Sequence, residues 1–335
     1  MNINKNKIHE SIRDAQIKEY LNEQKNINNH FKACQQLVKD ILPQHAKILV
    51  IDTSQNKCFD ESKVDDPVLI DWVKDVQFFG GDYNYGEVFR GMLGFDKSDP
   101  RYVVWDSAND PVPSHIPSIN EIDAFIVTGG PAMPSEIYAG NESKNTMWLK
   151  NTVSFLEGLV TSKTPGLTIC LGHQLINIVF GGRVGVSQAK REIGTVSLTG
   201  RNSFKDLQLF EGLWDKNNKI DVIATHSESV IESPDYAGME WLAYNEYNAF
   251  QACAFPLERG QDLKEADQDD QLILSLQNHP EFTTCYVELL KRTRRENIIK
   301  EGIDADRILF KDTPDIRGIF LNFIKLVSRR ANKRK

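Results

Sequence analysis

No run of this sequence is apolar for long enough to cross a bilayer, and its opening, Met1-Asn2-Ile3-Asn4-Lys5-Asn6-Lys7, lacks the hydrophobic segment of a secretion signal. Cysteine is sparse: five residues, with no Cys-x-x-Cys pair, argue against a disulfide framework and against structural zinc. No metal is expected, and the expected compartment is the reducing cytoplasm. An excess of positive charge is lacking too. A formal net charge of −7 gives no overall attraction to nucleic acid or to an anionic membrane, so neither is expected as a partner. The sequence also has no glycine-rich phosphate loop, so nucleotide activation is not expected of this chain, and no cofactor is expected.

What is present is the alternation of an α/β protein. A polar, helix-prone segment up to about Pro43 carries Ile8, Ile12, Ile17, Leu21, Ile27, Phe31, Cys34, Leu37 and Ile41 at mostly helical spacings, and these apolar positions call for burial against the core or a neighbour. Strands are expected at Lys47 to Asp52, Tyr102 to Trp105, Phe125 to Val127 and Leu167 to Ile169, with a covering helix over Gly86 to Leu93. Further strands are expected at Thr195 to Thr199, Asp221 to Thr225, Gln251 to Phe255 and Leu272 to Leu276. Strands alternating with helices imply a mostly parallel sheet covered on both faces, with ligands bound beyond the carboxyl ends of the strands. The charged stretch from Glu258 to Gln271, with Glu265, Asp267, Asp269 and Asp270, fits no calcium loop and reads as solvated. The basic end, Arg329 to Lys335, also reads as solvated, with RNA or partner contact the lesser alternative.

Three segments carry chemistry. In Gly166-Leu167-Thr168-Ile169-Cys170-Leu171-Gly172-His173-Gln174 an apolar strand ends in a cysteine and a glycine before a helix expected over about His173 to Phe180. Such a turn holds a nucleophile in a strained conformation, and the helix amides favour its thiolate. A lone cysteine after Leu-Thr-Ile is ordinarily core filler, but two other segments outweigh that reading. Leu272 to Leu276 leads into His279 and, two residues on, Glu281, a base followed by a carboxylate that can orient it. Ala124 to Thr128 ends in Gly129-Gly130-Pro131, a loop whose amides can face developing negative charge together with the amide of Leu171. Gly-Gly-Pro taken alone is a turn.

In these residues the chain resembles the class I, triad-type glutamine amidotransferases. The elbow pattern Gly-x-Cys-x-Gly-x-Gln is met by Cys170, Gly172 and Gln174, the His-Pro-Glu ending by His279, Pro280 and Glu281, and the oxyanion loop by Gly129 and Gly130. Gly181-Gly182, Arg191 to Gly194 and Ala224 to Glu228 add to the likeness, which runs from about Lys47 to Glu281. Two positions depart from the pattern: Thr168 stands where glycine is usual, and Asn278 where an aromatic residue often precedes the histidine. The first adds a β-branched side chain under the elbow, and the second bears on the walls of the site.

The resemblance implies a flavodoxin-like α/β fold with a mostly parallel central sheet covered by helices on both faces. The expected organisation is a helical N-terminal extension over 1–45, the amidotransferase-like domain over 46–330 and a basic tail over 331–335. Cys170, His279 and Glu281 are the expected triad, Gly130 and Leu171 the oxyanion donors, and Gly129 and Gln174 the substrate contacts. Gln174 reads equally as a helix-surface glutamine. The implied substrate is glutamine or another γ-glutamyl compound, with ammonia passed to an acceptor synthase. A γ-glutamyl hydrolase or peptidase is the alternative activity, an idle binding or scaffold module is a third reading, and a homo-oligomer remains open. His173 reads as packing and His226 as structural, while Cys34, Cys58, Cys253 and Cys285 have no glycine elbow and are assigned no chemistry.

Overall fold

The computed structural model describes residues 5–55, 62, 64, 66–77, 84–110, 115–139, 144–186, 191–201 and 207–334, the first of these, 5–17, as backbone. Its helices are α1 (Lys5–Ile41), α2 (Pro67–Gln77), α3 (Tyr85–Met92), α4 (Lys144–Thr161), α5 (Leu171–Val179), α6 (Leu263–Gln268), α7 (Thr284–Thr293), α8 (Arg295–Lys300) and α9 (Pro314–Lys333). The first strands are β1 (Ile48–Asp52), β2 (Tyr102–Asp106), β3 (Ala124–Val127) and β4 (Gly166–Ile169). Then come β5 (Arg183–Val186), β6 (Glu192–Gly200), β7 (Lys219–His226), β8 (Glu228–Glu232), β9 (Glu240–Tyr244), β10 (Ala252–Pro256) and β11 (Leu272–Leu276). No helix of the described residues is long and apolar enough to cross a membrane.

Among the described residues, nine strands form one sheet in the order β2-β1-β3-β4-β11-β10-β9-β6-β7, and β5 pairs with β8 apart from it. From β2 to β11 every pairing is parallel, and from β11 onward every pairing is antiparallel. Strands β1, β3, β4 and β11 are buried along their whole length, as unbroken apolar runs are when helices cover both faces. Alternation splits them between two cores. Ile48, Val50, Ile126, Leu167 and Ile169 face α1, α3, α7 and α9, whereas Leu49, Ile51, Phe125 and Val127 face α4 and α5. This arrangement brings the carboxyl ends of β1, β3, β4 and β11 side by side, and the site lies there.

Helix α1 buries Tyr20, Glu23, Ile27, Cys34, Val38 and, just past its end, Leu42. Of the expected positions, Ile27 and Cys34 are buried and Leu37 packs against the core, whereas Leu21 and Ile41 are exposed at 54% and 37%. Ile8, Ile12 and Ile17 lie outside the described side chains. The charged stretch from Glu258 to Gln271 is not a solvated loop. It contains α6, whose first turn is capped by Asp262, and it buries Asp267 and Asp270. Asp267 accepts from Gln208 N at 2.8 Å, and Asp270 pairs with Arg329 at 2.7 Å and Lys333 at 3.0 Å. The basic end is accordingly not free in solvent: it continues α9 to Lys333, and Arg334 reaches Asp123 at 3.2 Å.

Candidate active site

Cys170 is the N-cap of α5, with φ 50° and ψ −102°. A non-glycine residue in that region is strained, and the elbow is fixed on both sides. Cys170 N donates to Leu276 O at 2.8 Å, and Gly172 N donates to Thr128 O at 3.1 Å. Gly172 has to be glycine, because a Cβ there would lie 2.5 Å from Val127 O. The helix begins two residues earlier than the sequence suggests, so the sulfur sits directly on its first turn. Leu171 is the first helical residue, where N–H groups have no acceptor inside the helix.

His279 and Glu281 follow β11, the strand next to β4. Glu281 Oε1 lies 2.7 Å from His279 Nδ1, both side chains are buried, and the imidazole and Cys170 line the same small cavity. With Nδ1 on the carboxylate, Nε2 is the ring nitrogen left for the thiol. Gly129 approaches this ring so closely that a Cβ on it would be 2.6 Å from His279 Cε1. A Cβ on Gly130 would be 2.2 Å from Thr53 O. The Gly-Gly loop is tied to the end of β1 by Thr53, whose Oγ1 donates to Thr128 O at 3.0 Å and lies 2.9 Å from Gly129 O. The cavity at Cys170 is about 20 Å³, room for roughly one water. Among the described residues, Ser54, Tyr85, Pro131, Leu290 and Arg294 help to line it.

The glutamine amidotransferase class-I family profile matches residues 102–290, more than half of the chain. This chain belongs to that family. It is 33% identical over 112 residues to a glutamine-hydrolyzing GMP synthase of Anaplasma marginale, covering 33% of this chain and 19% of that protein. It is 25% identical over 184 residues to Gamma-glutamyl peptidase 2 of Arabidopsis thaliana, covering 53% of this chain and 66% of the peptidase. The chain thus spans about a fifth of the first relative and just under two thirds of the second. A crystal structure of a glutamine amidotransferase from Thermotoga maritima superposes with a TM-score of 0.52 at 16% identity, covering 85% of this chain and 98% of that one. That likeness shows the fold, and it agrees with the expected class I amidotransferase architecture.

The electrostatics of this family member's site favour a charged imidazole at His279. Burial works against a charged imidazole at His279, but the Cys170 sulfur and the Glu281 carboxylate outweigh it and hold the ring protonated, its pKa pushed up to about 10. His173 is the opposite case. Burial, with His226 nearby, pushes it down to about 3, so its neutral Nδ1 serves as a partner for Ser275 Oγ at 2.7 Å. Thr168 Oγ1 donates to the same hydroxyl at 2.7 Å, so the departure from glycine supplies a hydrogen bond. His226 bonds Glu192 Oε2 at 2.9 Å, next to Gln251 at 2.6 Å.

Gln174 is buried and not a surface glutamine. Its Nε2 donates to Glu228 O at 2.5 Å and to Gln277 Oε1 at 3.3 Å. Asn278 is buried as well. Burial pushes the thiols of Cys34 and Cys253 up to about 12 and raises that of Cys285 further, while Cys58 lies outside the described residues. Among the described residues, no three His, Cys, Asp or Glu side chains gather as a metal set. The sequence reading missed Phe282, whose ring lies on the His279 imidazole at 3.9 Å and 5°. Its position directly after the His-Pro-Glu run was the only available signal.

Proposed function

We propose that this chain is a glutamine amidotransferase that hydrolyses the glutamine side-chain amide and delivers ammonia to an acceptor enzyme. The observation that carries the reading is the convergence, at adjoining strand ends, of Cys170 on a positive-φ elbow with His279 and the Glu281 carboxylate hydrogen-bonded to its ring. The Cys170 thiolate attacks the carboxamide carbon, and the amides of Gly130 and Leu171 hold the oxyanion. The C–N bond then breaks, and the His279 proton leaves with ammonia. Water gives a proton back to His279 as it adds to the γ-glutamyl thioester, and the C–S bond breaks to release glutamate and the thiolate. Glu281 keeps the imidazole in one tautomer and stabilises its charged form. Gly129 and Gln174 are proposed to shape the substrate pocket from behind the reacting atoms.

The glutamine-hydrolyzing GMP synthase among the relatives supports an ammonia-accepting synthase as partner. The similarity to a γ-glutamyl peptidase, which spans more of this chain, favours cleavage of γ-glutamyl peptides as the second reading. Mass spectrometry after mixing the protein with glutamine or with γ-glutamyl dipeptides tests both. A γ-glutamyl adduct on Cys170 from glutamine supports the first reading, and an adduct only from the dipeptides supports the second. No adduct from either donor would overturn the enzymatic assignment.

A further inference from the structure

Helix α1 lies outside the span that matches the family, yet one of its side chains reaches the peptide that follows the base. Glu23 is fully buried, and its carboxylate accepts from Thr284 N at 2.7 Å and from Thr284 Oγ1 at 2.5 Å. From the other side Arg317 of α9, also buried, donates to Phe282 O at 3.2 Å. Its Nη2 stands 3.6 Å from Glu23 and 2.6 Å from Asp312, and Asn26 of α1 donates to Asp312 at 3.0 Å. Residues 282–284 come directly after Glu281, and the Phe282 ring lies flat on the His279 imidazole.

Glu23 satisfies the N–H of Thr284, the first residue of α7, but capping alone does not call for a buried acid at this place. Thr283 already caps the helix, accepting from Tyr286 N at 3.3 Å. Burying a carboxylate beside a second acid is unfavourable, and burial together with Asp312 pushes the Glu23 carboxyl up to about 7. The fold maintains this unfavourable group at one place, the first residue of α7, three positions after Glu281.

We propose that Glu23 is a positioning residue for His279. Acting through Thr284, and together with Arg317 on Phe282 O, it fixes the Phe282 ring and so the height and tilt of the imidazole against Cys170. The proposal rests on the triad reading given above. It adds that the N-terminal helix, outside the family domain, sets the geometry of the reaction.

The test uses the full chain with Glu23→Ala, Glu23→Gln and Thr284→Val. The readouts are glutaminase kcat and KM, the ultraviolet titration of the Cys170 thiolate, and thermal unfolding. A shift of a catalytic group by about 1 Å lowers turnover by on the order of 100-fold, so Glu23→Ala is expected to lower kcat by between about 10- and 100-fold while KM changes by less than about twofold. The thiolate titration should differ from that of the wild type, because the ring beside the sulfur has moved. Glu23→Gln, whose amide oxygen still accepts from Thr284, should recover part of the kcat. Folded variants with wild-type kcat and wild-type thiolate titration would overturn the proposal, as would a lowered unfolding temperature with both unchanged. Should Glu23→Ala fail to fold, the same two readouts on Thr284→Val decide alone. The two levels of inference separate cleanly. Wild-type protein that forms no Cys170 adduct sinks the triad reading and this proposal together, whereas a normal adduct with unaffected Glu23 and Thr284 variants sinks only this proposal.

Discussion

Glu281 Oε1 stands 2.7 Å from His279 Nδ1, and the two side chains are 0% and 3% exposed. A buried carboxylate so close to an imidazole fixes both its tautomer and its charge. Glu281→Gln removes the charge and permits the wrong tautomer. Glutaminase kcat should therefore fall by on the order of 10³- to 10⁴-fold with the fold intact. Steady-state kinetics beside a circular-dichroism spectrum check this, and a loss below tenfold would remove Glu281 from the triad.

The pH dependence follows from the direction of the His279 shift. Its folded pKa is raised to about 10 by the neighbouring sulfur and carboxylate, which overcome burial. The ion pair's contribution to stability is therefore complete below about pH 6.5, the ordinary histidine value, and is lost as pH rises through about 10. Proton delivery to ammonia should fade over the same upper range, which places the alkaline limb of kcat/KM, the parameter that reports the free enzyme, near 10. An NMR titration of the His279 ring reads the shift directly, and a midpoint near 6.5 would contradict it.

Gly129→Ala tests the packing of the base. The added methyl would meet His279 Cε1 at 2.6 Å, and the ring has to move away from the sulfur. Displacing a catalytic group by about 1 Å costs on the order of 100-fold in turnover. The variant should lose about that much kcat, and wild-type turnover would mean that the loop can yield without disturbing the ring.

The C-terminal helix is held by Asp270, which is itself fully buried while Arg329 and Lys333 keep 37% and 52% side-chain exposure. Removing the cations strands a buried charge, whereas removing Asp270 frees two cations that can turn to water. The double variant Arg329→Ala with Lys333→Ala should cost about 3 kcal/mol of stability, and Asp270→Asn about 1 kcal/mol. Urea unfolding at unchanged slope measures both, and the reverse order would refute the argument.

The strand ends that carry the proposed site are legible because each is a short apolar run followed by a distinctive group: a cysteine on an elbow, paired glycines, a histidine with a carboxylate two residues on. The folds of β1, β3, β4 and β11 are legible for the same reason, since strands buried on both faces are written as unbroken apolar runs. The strands β5, β8 and β9 escape detection. Arg183 and Val186 at the ends of β5 are exposed, and the pattern of β8 ends in exposed Ile231 and Glu232. Helix α4 spans 18 residues between two strands, but its sequence is only weakly amphipathic. The burial of Asp267 and Asp270 could not be read locally, because the partners of Asp270 come from α9, about sixty residues later. Glu23 is hidden in the same way. Its partners, Thr284 and Arg317, are brought to it only by the packing of α1 against α7 and α9.

A chamber of about 20 Å³ at the sulfur is smaller than any carboxamide with its carbon chain. A donor is therefore received by a form in which the lining side chains have swung aside, and the observed dissociation constant is the intrinsic one divided by the fraction of molecules in that form. A neighbouring protein that favoured the swung-aside form would tighten donor capture without touching any reacting atom, and by reciprocity the donor would tighten its hold on that neighbour by the same factor.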